Sequence, residues 1–315
     1  MSDIRIGLIG GTGLGQALGT EDGQRHDVDT PFGKPSSPII TNTWAGVDIA
    51  ILQRHGEGHM LDPTEVPYRA NIFALKQLGV THIVASGATG SLREHVQPRD
   101  LVIADQVIDK THKRPSTFFE GVAVHVEFSE PFCPVMRQWL LDAAADLGPI
   151  VPRQVFGGAA PQPRDRPSDA DLVIHDGGTY VCMEGPQFST RAESHMHRAW
   201  GGDLIGMTCM PEAKLAREAE IAYALVGLPT DYDCWRPHDP DVELQQLLSE
   251  IMGNLSAATD NAIRLIKHAL QHCDGLRHTP SPAHDALRLA IWSDRSQIDP
   301  GLVKRLEPLW GAYFG

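Results

Sequence analysis

The chain lacks any apolar segment that approaches the roughly 18 residues of a membrane span. It also lacks a basic leader with a long apolar core, because a strand-like run, Ile4 to Ile9, begins almost at once. Basic residues are fewer than acidic ones, and the formal net charge is −13. A protein surface with this charge repels phosphodiester backbones. These absences argue against a membrane protein and against binding of nucleic-acid polymers, and they favour a cytoplasmic protein.

Cysteine pairs are also lacking. The chain has an odd number of cysteines and no C-x-x-C spacing, so that reduced thiols are the simplest interpretation. The five cysteines are Cys133, Cys182, Cys209, Cys234 and Cys273.

What is present is an ordinary globular composition over 315 residues, with 42% apolar and 21% charged residues. Strand-like runs cover residues 4–9, 47–52, 82–86, 101–105, 179–183, 204–207 and 221–228. Helical patterns cover residues 69–78, 135–147, 212–220 and 242–272, the last with a possible break near Gly253. Alternating strands and helices predict an α/β fold with a mostly parallel sheet and helices on both faces.

Three segments follow other patterns. Residues 149–171 are rich in proline, glycine, arginine and aspartate and predict a surface loop, and residues 274–282 predict a linker. Residues 285–310 predict one or two short helices that pack through Ala286, Leu287, Ala290 and Ile291. The chain is therefore divided into a domain of residues 1–273, in which 149–171 is a loop insertion, and a C-terminal helical extension of residues 274–315.

Two acids follow the buried-looking run of residues 221–229, in the stretch Thr230-Asp231-Tyr232-Asp233-Cys234-Trp235. Open α/β sheets bind ligands at the carboxyl ends of their strands. A carboxyl group there can donate to a ring nitrogen and accept from an exocyclic amine, which fits the N7 and N6 edge of a 6-aminopurine. A helix N-cap with a solvated turn explains the same pattern, and this segment alone leaves both interpretations open.

Glycine-rich or basic stretches follow other strands. Gly10-Gly11-Thr12-Gly13 predicts an anion-binding turn with the Thr12 hydroxyl, although Gln16 occupies the third glycine position of a dinucleotide fingerprint. Arg54 predicts a forked phosphate donor, and His55 follows it directly. His55 and His59 have the spacing of a helical metal pair, but the glycines between them argue against a helix, and we expect no metal.

Small or aromatic residues follow three further strands. Residues 86–91 (SGATGS) and Thr208 predict a pocket floor with additional donors for an anion, while Met207 either lies under a sugar or fills the core. Phe188 either stacks on a base or belongs to the core. His195 and His197 lie in a stretch of alternating charge that predicts a surface position.

Taken in order, the motifs resemble the trimeric purine nucleoside phosphorylase family, and within it the branch that acts on 5′-methylthioadenosine. The matching stretches are IGLIGGTGLG, DTPFGKPS, RHGEGH, VPYRANIFALKQLG, GSLRE, RPSTFF, EPFCP, MEGPQFSTRAESHM, MTCMPE and TDYDCW. They cover most of residues 4 to 272, and we expect residues after about 273 to have no clear counterpart in the family. The resemblance implies a single domain with a central mixed sheet flanked by helices, a homotrimer with shared active sites, no metal or cofactor, and inorganic phosphate as co-substrate.

The resemblance also implies roles for individual residues. Asp231 and Asp233 would be the catalytic acids. The phosphate site would consist of Thr12, Arg54, His55, Ser86, Gly87, Ala88 and Thr208. The purine and ribose site would add Phe188, Ser189 and Met207 to the two acids. The methylthio pocket would contain His125 from a neighbouring subunit together with Leu244, Leu247 and Leu248. Gly87 departs from the threonine usual in the family, which removes one hydroxyl donor from the phosphate site.

Three alternatives stay open beside phosphorolysis of a 6-aminopurine nucleoside. A phosphorylase for 6-oxopurine nucleosides or methylthioinosine would carry an amide in place of Asp231. A hydrolytic nucleosidase would not require Arg54 or the glycine-rich strand ends. A nucleotide-binding module is disfavoured by the incomplete dinucleotide fingerprint.

Overall fold

The computed structural model describes residues 4–10, 23–153, 172–237 and 242–314. Thr12, most of the glycine-rich turn and residues 154–171 of the predicted loop insertion lie outside the described residues. The strands are β1 (Arg5–Gly10), β2 (Gln24–His26), β3 (Ile39–Trp44), β4 (Val47–Gln53), β5 (His82–Ser91), β6 (Leu101–Ile103), β7 (Gln106–Asp109), β8 (Ile150–Val151), β9 (Ile174–Asp176), β10 (Thr179–Cys182), β11 (Leu204–Gly206) and β12 (Ala222–Asp231). The helices are α1 (Tyr68–Gln77), α2 (Pro134–Ala145), α3 (Arg191–Ala199), α4 (Cys209–Glu218), α5 (Leu244–Gln271), α6 (Asp274–His278), α7 (Pro300–Arg305) and α8 (Glu307–Trp310). Short 3₁₀ turns lie at Asp233–Trp235, Pro282–Asp285, Arg295–Gln297 and Gly311–Tyr313.

The strands form one mixed sheet. Its centre is parallel, in the order β4-β1-β5-β12. β3 and β2 continue it antiparallel beyond β4, and β6 pairs antiparallel with β12 on the other side. β11 pairs antiparallel with the end of β5 and leads to β10 and β7. The architecture is thus the mixed sheet of the resemblance, less uniformly parallel than the strand and helix pattern predicts.

The side chains of β12 alternate between two cores, which places helices on both faces of the sheet. Tyr223 and Leu225 pack with residues of α1 and α4. Ala224 and Val226 pack with residues of α2 and α5. A strand that is buried on both faces has the continuous apolar run seen in this sequence, and full burial of a side chain such as Leu225 or Val226 stabilises the fold by roughly 1.5–3 kcal/mol.

β5 is longer than the sequence predicts. The expected strand ends at Ser86, whereas the observed strand continues through the glycine-rich stretch to Ser91. The added residues are held because β5 pairs with β12 as far as Gly90, and its last residues also pair antiparallel with β11. The small residues therefore belong to the strand itself.

The long C-terminal helix is continuous. α5 runs unbroken for 28 residues through Gly253, which is exposed and costs only about 1 kcal/mol relative to alanine. Its buried stripe begins at Asn254, while Leu244 and Leu248 near its start are 71% and 55% exposed. None of the helices in the described ranges is both long and apolar enough to cross a bilayer.

The residues after 273 pack into the same two cores as the rest of the chain. The predicted linker forms α6, whose Leu276 is buried, because it covers the apolar face of α2. Leu287 and Ala290 of the predicted packing face are buried, as is Trp310, whose ring lies 4.7 Å from that of Phe119. The sequence predicts one or two short helices in residues 285–310; the structure has two, α7 and α8, but both begin after the expected packing face of residues 286–291, most of which forms turns.

Candidate active site

Arg54 lies at the end of β4 and anchors one side of the candidate site. Its amide donates to the carbonyl of Gly10 at the end of β1 (3.2 Å), so that the two strand ends are joined. The side chain is buried, and its Nε and Nη2 each lie 2.9 Å from a different carboxylate oxygen of Glu212. Burial opposes the charge, but the Glu212 carboxylate outweighs it and holds the pKa of Arg54 above its ordinary value. A permanent, rigidly oriented cation therefore lies at this strand end.

The Arg54 guanidinium borders a small space beside Gly87. Its Nη1 donates to the Ser86 carbonyl (2.9 Å). A Cβ atom added at Gly87 would lie 3.8 Å from that nitrogen and 3.5 Å from the Thr208 hydroxyl, both ordinary contact distances. Four of the predicted phosphate residues, Arg54, Ser86, Gly87 and Thr208, are thus brought together, although Ser86 contributes its carbonyl to Arg54. Ala88, the next residue of β5, is exposed.

His55 lies beside Arg54 and is held as a neutral ring. Its Nδ1 lies 2.9 Å from the carbonyl of Leu61, which can only accept, so that Nδ1 carries the proton. Burial lowers the pKa of His55, and the neighbouring Arg54 charge acts in the same direction. The ring also stacks on His59 at 4.3 Å between centroids. His55 therefore offers Nε2 as an acceptor, which suits a protonated phosphate oxygen.

Asp231 and Asp233 form a second polar cluster at the end of β12. The pairing of β12 with β5 shifts by one residue at Thr230, which brings Asp231 opposite Gly90. One Asp231 carboxylate oxygen accepts from the Asp233 amide (2.8 Å) and the other accepts from the Thr230 hydroxyl (2.6 Å). A Cβ atom at Gly90 would lie 3.1 Å from Asp233 Cβ and 3.4 Å from Asp231 Oδ1. The two acids therefore meet β5 at Gly90, as the cationic cluster meets it at Gly87.

Burial raises the pKa of Asp233. The Ser194 hydroxyl and the Cys234 amide oppose this effect by hydrogen bonding, and the nearby Asp231 carboxylate reinforces it. Gly87 and Gly90 are three residues apart on an extended strand, or about 10 Å. One strand thus meets a cationic cluster near Gly87 and a carboxylate cluster near Gly90.

The predicted ribose and stacking residues differ in the number of contacts that fix their side chains and backbone. The sulfur of Met207 lies 2.6 Å from where a Cβ of Gly185 would stand, and the φ of +71° at Gly185 favours glycine there. The Ser189 carbonyl accepts from the thiol of Cys234 (3.2 Å), which ties it to the acid cluster. Phe188 is 85% exposed, so the described part of the chain does not enclose its ring as a base platform.

The predicted methylthio residues are not brought together within one chain. Leu247 is half-buried, between the exposed Leu244 and Leu248 in the first turns of α5. His125 is exposed at a separate place, where its ring packs edge-on against Trp292 at 4.7 Å.

Sequence reasoning missed two buried partners of the site. Glu212 is the counter-ion of Arg54 and also accepts from the Tyr223 hydroxyl (2.8 Å). Arg114 is buried and donates to the carbonyls of Met207 and Met210, each at 2.6 Å, and so fixes the start of α4. Both residues lie within the stretches MTCMPE and RPSTFF, which carry the resemblance but do not reveal which side chains pair.

Arg114 also pairs with Glu184 in a network that follows β10. Burial alone would raise the pKa of Glu184, but the amides of His112 and Lys113, the Thr64 hydroxyl and Arg114 together lower it to about 2. Glu184 is therefore a structural anion that holds the segment in front of Phe188 and Ser189.

His197 corrects the sequence prediction of a surface position. It is only 1% exposed, because α3 turns this side toward the sheet, and its Nε2 accepts from the ammonium of Lys110 at 2.8 Å. Burial, reinforced by that ammonium, lowers the pKa of His197. The alternating charges come from an amphipathic helix that begins with a capping box between Thr190 and Glu193.

Comparison with known proteins gives the same family as the motifs. The model of the phosphorylase superfamily matches residues 5–271. The S-methyl-5′-thioadenosine phosphorylase of Thermosynechococcus vestitus is 44% identical over 311 residues, which are 98% of this chain and 99% of the relative. The enzyme of the same name from Synechocystis is 43% identical over 317 residues, 100% of this chain and 89% of the relative. The residues after 273 therefore have counterparts, contrary to the indication from the motifs.

The fold agrees with that of a solved structure over nearly the whole chain. A crystal structure described as a methylthioadenosine phosphorylase from an antarctic soil metagenomic library superposes with a TM-score of 0.82 at 43% identity. The match covers 98% of this chain and 99% of the other. With the site geometry, the motifs and these matches in agreement, this chain belongs to the phosphorylase superfamily.

Proposed function

We propose that the protein catalyses the phosphorolysis of 5′-methylthioadenosine, which yields adenine and 5-methylthioribose 1-phosphate. The observation that carries the proposal is the position of two glycines on β5. Gly87 lies beside Arg54 and Thr208, and Gly90 lies tightly against Asp231 and Asp233. Relatives that align with 98–100% of the chain bear the name of this activity.

Phosphate would bind at the Arg54 end of the strand. Arg54 is already charged, buried and oriented by Glu212, so that it does not have to reorganise when an anion binds. The Thr208 hydroxyl and the Gly87 backbone border the same space. An oxyanion held there below the sugar would offset the positive charge that develops as the glycosidic bond breaks. Binding in place also converts a bimolecular attack into a step within one complex.

Adenine would be recognised at the Asp231 end. Asp231 would be the acid at N7, and its other carboxyl oxygen would accept from the N6 amine, so that adenine leaves as a neutral base. Acid assistance of this kind contributes typically about 10²–10⁴-fold to the rate. In hypoxanthine or guanine the 6-oxo oxygen, an acceptor, would face the Asp231 oxygen that accepts from N6 of adenine. Such a mismatch at a buried polar site can lower kcat/KM by about 10⁴-fold or more.

The methylthio group would be enclosed only in an oligomer. Leu244 and Leu248 are exposed apolar side chains near one another on α5, as expected of a surface that another subunit covers. We propose a homotrimer in which the exposed His125 of one subunit closes the pocket that begins at Leu244, Leu247 and Leu248 of the next. The reaction as written takes phosphate as co-substrate and needs no metal or other cofactor. The free cysteines suit a cytoplasmic location.

A substrate panel tests the proposal. Purine release is measured with and without phosphate for methylthioadenosine, adenosine, inosine and methylthioinosine. We expect phosphate-dependent release that is fastest for methylthioadenosine. Adenosine should be cleaved more slowly but still measurably, because burial of one methyl group is worth only about 1 kcal/mol. Equal release without phosphate would indicate a nucleosidase. A preference for the inosine compounds would indicate a 6-oxopurine phosphorylase, and no release from any compound would indicate a binding module.

A further inference from the structure

Helix α3 is joined to the acid cluster by a short hydrogen bond. The Ser194 hydroxyl, which is fully buried, donates to Asp233 Oδ2 at 2.5 Å. Asp233 has a φ of +48°, in the left-handed region that residues other than glycine rarely adopt. Such a conformation persists only where surrounding contacts hold it. Ser194 supplies a contact of that kind from a separate element.

The helix that carries Ser194 is itself firmly placed. Its first turn is closed by the capping box of Thr190 and Glu193. At its end, the Arg198 guanidinium lies 3.6 Å above the Trp235 ring and donates to the Leu92 carbonyl at 2.7 Å. The α3 backbone between these two fixed ends therefore has little freedom at Ser194.

The 3₁₀ turn that carries Asp233 is clamped to β5 from the other side. The Trp235 indole nitrogen donates to the carbonyl of Ser91 at 2.8 Å. Arg198 also reaches Glu94 just beyond the strand (2.8 Å). α3, the turn and the end of β5 form one packed unit, and the Ser194 hydroxyl joins α3 directly to the Asp233 carboxylate.

The hydrogen bonds continue from Asp233 to Asp231. The Asp233 amide donates to Asp231 Oδ1 at 2.8 Å, so the backbone that bears one acid orients the carboxylate of the other. A shift of the Asp233 side chain would loosen this left-handed residue and with it the donor to Asp231. Ser194, Asp233 and Asp231 thus form a chain that ends at the carboxylate proposed to contact the base.

We propose that Ser194 is a positioning residue for purine recognition, which holds Asp233 and, through the Asp233 amide, orients Asp231. The inference rests on the proposed function, because that function identifies the base contacted by Asp231 as a purine. Ser194 need not touch the substrate, and its effect is carried by Asp233.

The acidity of Asp233 offers a signature that a purely structural role would not produce. The groups that act on it are the Asp231 carboxylate of β12, the Cys234 amide of the turn and the Ser194 hydroxyl of α3. Arg191, at the start of α3, interacts with the adjacent Cys234 thiol. Removal of Ser194 deletes a donor that stabilises the ionised carboxylate, so the pKa of Asp233 would rise further.

The test compares Ser194→Ala, Ser194→Thr and a control. Ser281→Ala is the matched control. Like Ser194, Ser281 is buried and its hydroxyl is hydrogen-bonded to another side chain, the thiol of Cys133, but Ser281 lies in the C-terminal segment. Adenine affinity is measured by titration calorimetry, and the pH profile of kcat/KM and the KM for phosphate are measured on the whole protein.

We expect Ser194→Ala to weaken adenine binding and to lower kcat/KM by about 10- to 100-fold, the range for a hydrogen bond to a charged group. The pH profile should shift with it while the KM for phosphate stays constant, and Ser194→Thr should recover much of the loss. Ser281→Ala should change the melting temperature alone. Unchanged adenine affinity and pH profile in Ser194→Ala would overturn the inference, and so would equal losses in Ser281→Ala. Because adenine binding is read without turnover, a parent protein that binds adenine but shows no phosphate dependence would count against the proposed function alone.

Discussion

Arg54 and Glu212 form a buried two-point ion pair, with their side chains 2% and 0% exposed. The pair joins the end of β4 to α4, and Tyr223 of β12 supplies a further hydrogen bond to the carboxylate. Glu212 neutralises one edge of the guanidinium and leaves the other beside Gly87 and Thr208. The same contact therefore stabilises the fold and orients the cation of the site.

Removal of the counter-ion should be costly. We expect Glu212→Ala to lower the free energy of unfolding by about 3–5 kcal/mol, because it leaves the buried Arg54 charge uncompensated. Denaturant titration measures the loss. Asp48→Asn is the control, since the pair of Arg5 and Asp48 is partly exposed and should contribute less than about 1 kcal/mol. A loss in Glu212→Ala no larger than in the control would contradict the assigned role.

Gly87 should limit the affinity for phosphate. The Cβ of Gly87→Thr would lie at ordinary contact distance from Thr208 and Arg54, and its hydroxyl could donate to the anion. We expect the KM for phosphate to fall by about 3- to 10-fold, as one added hydrogen bond allows. Gly90→Thr is the matched control, because its Cβ would press on Ile205 and Asp233 and activity should be lost. A higher phosphate KM in Gly87→Thr would place the anion elsewhere.

Asp231→Asn should exchange the preference between 6-amino and 6-oxo purines. The amide cannot act as the acid at N7, so we expect turnover of methylthioadenosine to fall by about 10²-fold or more. Relative activity toward inosine compounds should rise, because the amide can donate to O6. Steady-state kinetics with methylthioadenosine and with inosine measures both changes. Undiminished turnover of methylthioadenosine would show that another group is the acid.

Glu218 should make the stability depend on pH near neutrality. Burial raises its pKa to about 7 from an ordinary 4.5, against hydrogen bonds from the Phe118 amide and the Thr117 hydroxyl. A raised pKa means that the folded state binds the proton more tightly. This contribution to stability is complete below about pH 4.5 and is lost as the pH rises through about 7. Glu218→Gln keeps an acceptor for Phe118 without the charge.

We therefore expect Glu218→Gln to match the parent at pH 4.5 and to exceed its stability at pH 8 by roughly 2–3 kcal/mol. Melting temperatures of both proteins over this range provide the measurement. A difference between them that is independent of pH would mean that the Glu218 carboxyl does not titrate near neutrality in the folded state.

Subunits should complement one another if the site is shared. His125→Ala and Asp231→Asn inactivate different halves of the proposed composite site. A mixed trimer contains junctions where an intact Asp231 faces an intact His125, so partial activity should return. Co-expression with two affinity tags and sequential purification provides the mixed species. Mixed oligomers as inactive as either parent variant would argue that each site is built within one chain.

The interior of the sheet could be predicted from sequence, whereas its edges could not. β12 is buried on both faces and has a continuous apolar run that is recognisable without its neighbours. β8 and β9 have two and three residues, too few to show a period, and they are defined by pairing with strands distant in the sequence, β9 with β6 and β8 with β9. The extension of β5 likewise depends on β11, which lies far along the chain.

The site shows the same division. Arg54, Asp231 and Thr208 follow strands, and the convergence of strand ends makes such positions predictable. Glu212 is 158 residues from Arg54, and Ser194 is 39 residues from Asp233, so no local spacing indicates either contact. His197 is buried because Lys110 and α3 meet in space, which the local alternation of charge does not reveal.

Phosphorus-31 NMR of the protein with methylthioadenosine and phosphate tests the central claim most directly. We expect a new sugar 1-phosphate resonance that grows in step with released adenine, while inorganic phosphate declines by the same amount. Adenine release without that resonance, or without consumption of phosphate, would contradict phosphorolysis at the Arg54 and Asp231 site.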